Sequence, residues 1–206
     1  MTQRAYLLLA LFWGLSSLQV SSQTLRELWM SMPSDVLVYL DNSQRKELLD
    51  YYDMGVKAEV KTLLGEEAVL DTLTANYLSL TASASSRMQM RLLPAEDGDT
   101  LICMVRTFHA PAAESDVFLY TKSWSLIGKL EFEHDGLVSR PADMPQAEFE
   151  ELKSSLMPFM ISALLSSDNE ELALCASNPF TDPKTAEKIR DIFLQRKLKW
   201  NGKTFK

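Results

Sequence analysis

Between Tyr77 and Ile127 apolar and polar residues alternate. Leu78, Leu80, Ala82 and Ala84 hold alternate positions, and Met88, Met90 and Leu92 resume the alternation after a shift near Ser85-Ser86. A Pro94-Ala-Glu-Asp-Gly98-Asp99 turn leads to Leu101-Ile-Cys-Met-Val105, and Ala110-Pro-Ala-Ala113 leads to Val117-Phe-Leu-Tyr120. Period-two runs bounded by Pro, Gly and Asp predict consecutive antiparallel strands, a meander. A shorter strand, Val69 to Thr74, precedes it. Lys129 to Glu133, His134-Asp135-Gly136 and Leu137-Val138 predict a hairpin after it, with Asp-Gly as the turn.

The spacing before the meander is helical. Thr24 with Glu27 forms a capping box ahead of an apolar stripe of Leu25, Leu28, Trp29 and Met32, which Pro33 ends. Val36, Leu37 and Leu40 mark a short helical turn. Asp41 with Gln44 opens a longer helix, Ser43 to Leu64, on which Leu49, Tyr52, Val56, Val60 and Leu63 recur every three or four residues. Gly55 falls inside that helix as a packing residue, Asp53 and Lys57 form an i,i+4 pair, and Gly65 serves as the stop.

After the meander, Asp143-Met-Pro145-Gln146 caps a helix with Phe149, Leu152 and Leu156 on its buried face. Phe159 to Leu165 and Leu172 to Ala176 flank Ser166-Ser-Asp-Asn-Glu as a second hairpin. Asp182-Pro183 opens a last helix with Ala186, Ile189 and Phe193 on one side. Lys197 to Phe205 is charged and alternating, as suits an edge strand. The fold class expected is α+β, an antiparallel sheet with helices on one face. Met32-Pro33 and Met144-Pro145 each introduce helix, hairpin and a Trp-bearing segment (Trp124, Trp200). That echo fits two tandem units joined near residue 143, or two unrelated halves sharing a pattern.

The chain ends bear on location. Arg4, the apolar run Ala5 to Leu18 and the small residues Val20-Ser21-Ser22 make residues 1–22 an export signal, with cleavage before Gln23. About fourteen apolar residues is short of the roughly twenty that span a bilayer. Residues 23–206 then form one α+β domain. The net charge of −7 disfavours phosphate backbones and anionic lipid, so neither nucleic acid nor a membrane surface is an expected partner. The two cysteines, Cys103 and Cys175, either pair in an oxidising compartment or remain buried thiols.

Several stretches resemble a known family: Leu28-Trp29 with Met32-Pro33, Arg45 to Val60, Ser86 to Leu93, Ile102 to Val105, and Trp200-Asn-Gly-Lys203. Together they are similar to DUF3256, a family of exported proteins of unknown function from Bacteroidales. The resemblance implies a Gram-negative envelope location, periplasmic or associated with the outer membrane, and it carries no activity to transfer. It also makes Asp71-Thr72-Leu73 and Asp99-Thr100-Leu101 candidates for O-glycosylation at Thr72 and Thr100.

No catalytic, cofactor-binding or metal-binding residue is assigned. His134 with Glu131, Glu133 and Asp135 is the one His-carboxylate cluster, but strand alternation points His134 away from the glutamates. Ser83, Ser85 and Ser86 with His109 lack a nucleophile elbow. Asp50 and Asp53 share a helix face among lysines, the pattern of a solvated surface. Asn201-Gly-Lys-Thr204 lacks the first glycine of a phosphate loop. The leading expectation is a non-catalytic envelope module binding a protein, polymer or small ligand, with Tyr39, Tyr51, Tyr52, Trp124 and Trp200 as possible contact aromatics. The alternatives are a hydrolase of a polysaccharide or peptidoglycan fragment, which needs a deep pocket with facing carboxylates, and an accessory factor for secreted cargo, which needs an uncovered strand edge.

Overall fold

A computed structural model describes residues 23–134, 136–156, 159–178 and 183–206. The export signal, Asp135 of the Asp-Gly turn and the helix-opening Asp182 lie outside the described residues. Helix α1 (Leu25–Ser31) starts with the expected box: Thr24 Oγ1 accepts from the Glu27 amide, and Glu27 Oε2 accepts from the Thr24 amide at 2.9 Å. Asp41 and Gln44 do the same for α2 (Asn42–Asp53). Its exposed C-terminus shows where the periodicity misleads. The helix stops at Asp53, eleven residues before the Leu64 expected.

Gly55 is the cause. It takes φ 69° just past the C-cap Met54. Its amide donates to Tyr52 O (3.1 Å) and that of Val56 to Tyr51 O (3.3 Å), the paired bonds of a Schellman motif. Val56 and Leu63 are therefore 56% and 60% exposed, while Val60 is buried in the strand β1 (Glu59–Lys61). Asp53 pairs with Arg26 and Lys57 with Glu59, so the expected Asp53–Lys57 pair does not form. Gly65 turns the hairpin from β1 into β2 (Glu67–Leu73).

The meander continues through β3 (Tyr77–Ser83), β4 (Ser86–Pro94), β5 (Thr100–Phe108), β6 (Glu114–Thr121) and β7 (Leu126–Leu130). All seven strands pair antiparallel in sequence order. The shift near Ser85 coincides with an irregularity between Thr81 and Ser83. Alternation sends Leu78, Leu80, Met88, Met90, Ile102 and Met104 to one face, where Leu25, Leu28 and Trp29 of α1 and Leu48 and Leu49 of α2 cover them. The opposite face carries Tyr77, Leu93, Cys103, Val105, Val117 and Leu119 into a second core.

That second core is closed by the rest of the chain: α3 (Gln146–Ser155), β8 (Met160–Leu165), β9 (Glu171–Ser177), α4 (Pro183–Ile192) and β10 (Arg196–Lys199). The three strands form a smaller antiparallel sheet ordered β10-β9-β8. The architecture is thus α+β with α1 and α2 on one face of the large sheet, and the small sheet with its helices on the other. Seven strands precede residue 143 and three follow it. The predicted hairpin over 129–138 does not form among the described residues. Chain after Leu130 leaves the sheet, and Leu137 and Ser139 instead bond Leu194 and Ile192 at 2.9 Å. α3 starts at Pro145 without a side-chain cap, not from Asp143.

The cysteines are both free. Cys103 faces the second core, and burial pushes its thiol pKa up. Cys175 alternates with the buried Leu174 and so projects from the other side of β9, where its Sγ accepts from Gln195 Nε2 at 3.6 Å. Of the two alternatives, pairing or free thiols, this opposition of faces fits the free thiols.

Candidate functional site

The two sheets meet through polar side chains. Ala163 and Leu165 of β8 turn their backbone amides and carbonyls away from β9, toward the face of the large sheet. Ser115 Oγ accepts from the Ala163 amide at 2.9 Å. Gln89 Oε1 accepts from the Leu165 amide at 3.2 Å, while its Nε2 donates to Leu165 O (3.5 Å) and Tyr77 OH (2.6 Å). Arg91 Nη1 donates to Ser166 O at 2.9 Å. This edge of the small sheet is closed by surrogate partners.

β7 is different. One of its edges pairs with β6, and no described strand lies on the other. Leu126 and Ile127, adjacent on this edge strand, are 59% and 53% exposed. The strand is held in place from its start: Trp124 takes φ 64° in the β6–β7 turn, and its indole Nε1 donates at 3.2 Å to Leu28 O, a carbonyl near the end of α1 that also accepts from Ser31 Oγ. A strand anchored at its turn but bare along one edge offers a row of backbone donors and acceptors to another chain.

Where β7 ends, a recess of about 140 Å³ opens toward β8. Leu130, Phe132, Phe159 and Ile161 supply apolar wall, and Glu114, Asp116, Lys129, Glu131 and His134 supply polar atoms. Lys129 Nζ lies 2.8 Å from Asp116 Oδ1 and 3.4 Å from Glu131 Oε1. Those hydrogen bonds, the one to Asp116 foremost, raise the pKa of its ammonium. His134 packs edge-on against Phe159, ring centroids 4.5 Å apart. By strand register Lys129 and Asp116 lie on the α1–α2 face with Phe118, whereas Leu130 and Phe132 face β8, so the recess is chiefly an apolar wall.

The other sequence candidates are dispersed. Among the described residues no three His, Cys, Asp or Glu side chains converge as metal ligands, and Glu133 does not line the recess with His134. Ser83 Oγ and Ser86 Oγ bond each other at 2.8 Å, and His109 reaches this turn through its backbone amide to Ser85 O. Asp50 pairs with Lys46 and Asp53 with Arg26 on the exposed side of α2. Asn201 Oδ1 accepts from the Lys203 and Thr204 amides, a local turn. Of the aromatics, Trp124 and Trp200 are buried, Tyr52 OH bonds the Leu73 backbone, Tyr51 OH bonds Glu47, and Tyr39 packs against the first core. Thr72 follows the irregularity in β2, and Thr100 opens β5; both are half-buried. The sequence pattern ends the meander at Ile127 and starts a hairpin at Lys129, whereas the structure runs one strand, β7, through both. Gly128 inside the strand is the signal that this strand is weakly built.

No helix among the described residues is long and apolar enough to cross a membrane. A family model described as "Protein of unknown function (DUF3256)" matches residues 17–205. A solved domain of an uncharacterized protein from Porphyromonas gingivalis W83 shares the fold, with a TM-score of 0.72 at 20% identity, covering 90% of this chain and 99% of that one. No curated protein matches.

Proposed function

The chain belongs to the DUF3256 family of proteins of unknown function, and we propose that it is a non-catalytic binding module of the bacterial envelope. It receives an extended polypeptide segment along β7. The carrying observation is the bare edge of β7 with Leu126 and Ile127 exposed on it, beside a recess able to take a side chain. Strand addition draws affinity from main-chain hydrogen bonds and selectivity from pockets beside the edge. The envelope location rests on the charged, apolar and small-residue order of residues 1–22.

The same edge favours a client-strand role, the accessory reading, as one form of this binding. The hydrolase reading has less support: Asp116 and Glu131 do share a recess, but both are tied to Lys129 and the space is small and open. A photo-crosslinking amino acid placed at Ile127 in the expressed chain tests the proposal, with Val38, 67% exposed on the loop between α1 and α2, as the control position. One dominant protein adduct from Ile127, absent from Val38, is expected. Equal adducts from both positions, or none from Ile127, would remove the edge from consideration.

A further inference from the structure

We propose that Asn201-Gly202 is a self-deamidating site, at which the backbone nitrogen of Gly202 attacks the side-chain amide of Asn201 and expels ammonia. The two residues lie in the loop of a small hairpin. Lys199 and Lys206 exchange backbone bonds of 2.7 and 2.9 Å, Trp200 bridges Phe205, and residues 201–204 turn between them. Asn201 Oδ1 accepts from the Lys203 amide at 3.1 Å and from the Thr204 amide at 2.9 Å. Those bonds fold the exposed side chain forward along its own backbone, over the nitrogen of the residue that follows. The carbon Cγ is thereby held beside its nucleophile, a near-attack placement.

The same two amides activate the carbon. They stand where negative charge develops on Oδ1 as Cγ becomes tetrahedral, as the donors of an oxyanion hole do. Among the described residues neither the Gly202 nitrogen nor Asn201 Nδ2 has a hydrogen-bond partner, so nucleophile and leaving group are both open to water. Gly202 has no Cβ to crowd the approach. In the step, the bond from the Gly202 nitrogen to Cγ forms and the bond from Cγ to Nδ2 breaks. The Gly202 amide proton passes through solvent to Nδ2, which leaves as ammonia. One water then opens the succinimide at either carbonyl, giving aspartate or isoaspartate. An isoaspartyl link lengthens the backbone between Trp200 and Lys203. It draws the Gly202 carbonyl off the Glu96 amide, 3.2 Å away, and loosens the bond from Trp200 Nε1 to Pro94 O. Asn169 is a comparison within the chain. It is exposed and its Oδ1 accepts from the Glu171 amide at 3.1 Å, but it has that one donor and is followed by Glu170, whose side chain crowds the attack.

The test ages the purified chain and a synthetic peptide of residues 196–206 side by side in mildly alkaline buffer, with peptide mass mapping of both. Expected is loss of the Asn201 amide about five-fold faster in the folded chain than in the peptide, with Asn169 intact over the same period. That is well below the roughly hundred-fold of a buried oxyanion donor, because water competes at an exposed turn. Equal rates would mean that the turn contributes nothing, and slower loss in the folded chain would mean that it protects Asn201; either result overturns the proposal. The effect on the chain end has its own readout. Ageing should speed amide exchange at Glu96 in the parent and not in Asn201→Gln, whose longer side chain closes the larger ring slowly. Unchanged exchange at Glu96 in a fully converted sample would overturn the loosening of the chain end.

Discussion

Gln89 and Leu165, 76 residues apart, are joined as two strands would be: the side-chain amide of Gln89 both accepts from and donates to the backbone of Leu165. A buried glutamine, 3% exposed, thus closes the edge of β8. Replacing Gln89 by Leu leaves the Leu165 amide and carbonyl without partners and frees Tyr77 OH of its donor. The expected loss is about 2–3 kcal/mol, read as a lower urea midpoint. Ser115→Ala, which strips one partner from Ala163, should cost about half as much. A Gln89→Leu midpoint within error of the parent would show that the edge is not closed by this residue.

How legible was this in the sequence? Local chemistry was: both capping boxes, the meander and the burial of alternate residues in β3, β4 and β5 follow from near-neighbour patterns. The end of α2 was not, because Val56, Val60 and Leu63 keep helical spacing while belonging to a turn, a three-residue strand and a hairpin. A strand that short cannot display alternation, and Gly55 was the only residue arguing for the break. The docking of β8 depends on contacts across 48 and 76 residues, made by Ser115 and Gln89, which look like ordinary polar strand residues. The bare edge of β7 is a fact about what fails to pair, and Gly128 inside the strand is its one local sign.

The thiols give a direct chemical check on the layering of the sheets. Cys103 is buried, and burial holds its thiol protonated; Cys175 is partly exposed. With a thiol-reactive chromophore on the native protein, Cys175 should react and Cys103 should stay silent until denaturant is added. Denaturation without reductant should then reveal two thiols. A count of zero there would mean the two cysteines are joined, contrary to their placement on opposed faces.

Stability should fall on the alkaline side. Burial pushes the Tyr39 phenol up from its ordinary 10 to about 12, an effect that the nearby Arg106 reduces. The unfolded chain ionises this group near pH 10 while the folded chain resists to about 12. The stabilisation is complete below pH 10 and declines as pH rises toward 12. Cys103 acts in the same sense and is common to both proteins compared. Urea midpoints measured from pH 9 to 11 should fall more steeply for the parent than for Tyr39→Phe. Parallel slopes would mean that Tyr39 ionises as freely folded as unfolded.

The closing segment supplies the last expectation, and it turns a motif-like string into a structural one. In Asn201-Gly202-Lys203-Thr204, Asn201 uses its side chain to make the turn and Gly202 presses on another one. Gly202 has φ 95°, its carbonyl accepts from the Glu96 amide at 3.2 Å, and a Cβ built on it would lie 2.7 Å from Glu96 Cγ and 3.3 Å from the Glu96 nitrogen. Beside it, Trp200 Nε1 donates to Pro94 O at 2.6 Å, so the end of the chain is fastened to the β4–β5 turn at two points. Gly202→Ala adds a left-handed backbone penalty of about 1 kcal/mol and pushes the two turns apart. The Glu96 side chain can swing away, but its backbone nitrogen cannot, so the contact with Trp200 should loosen as well. The expected outcome is a Tm several degrees lower, with faster amide exchange at Glu96. Glu96→Ala should restore little, since the backbone clash and the positive φ remain. Full rescue by Glu96→Ala would instead assign the whole cost to the side chain and leave the fastening of the chain end to Trp200 alone.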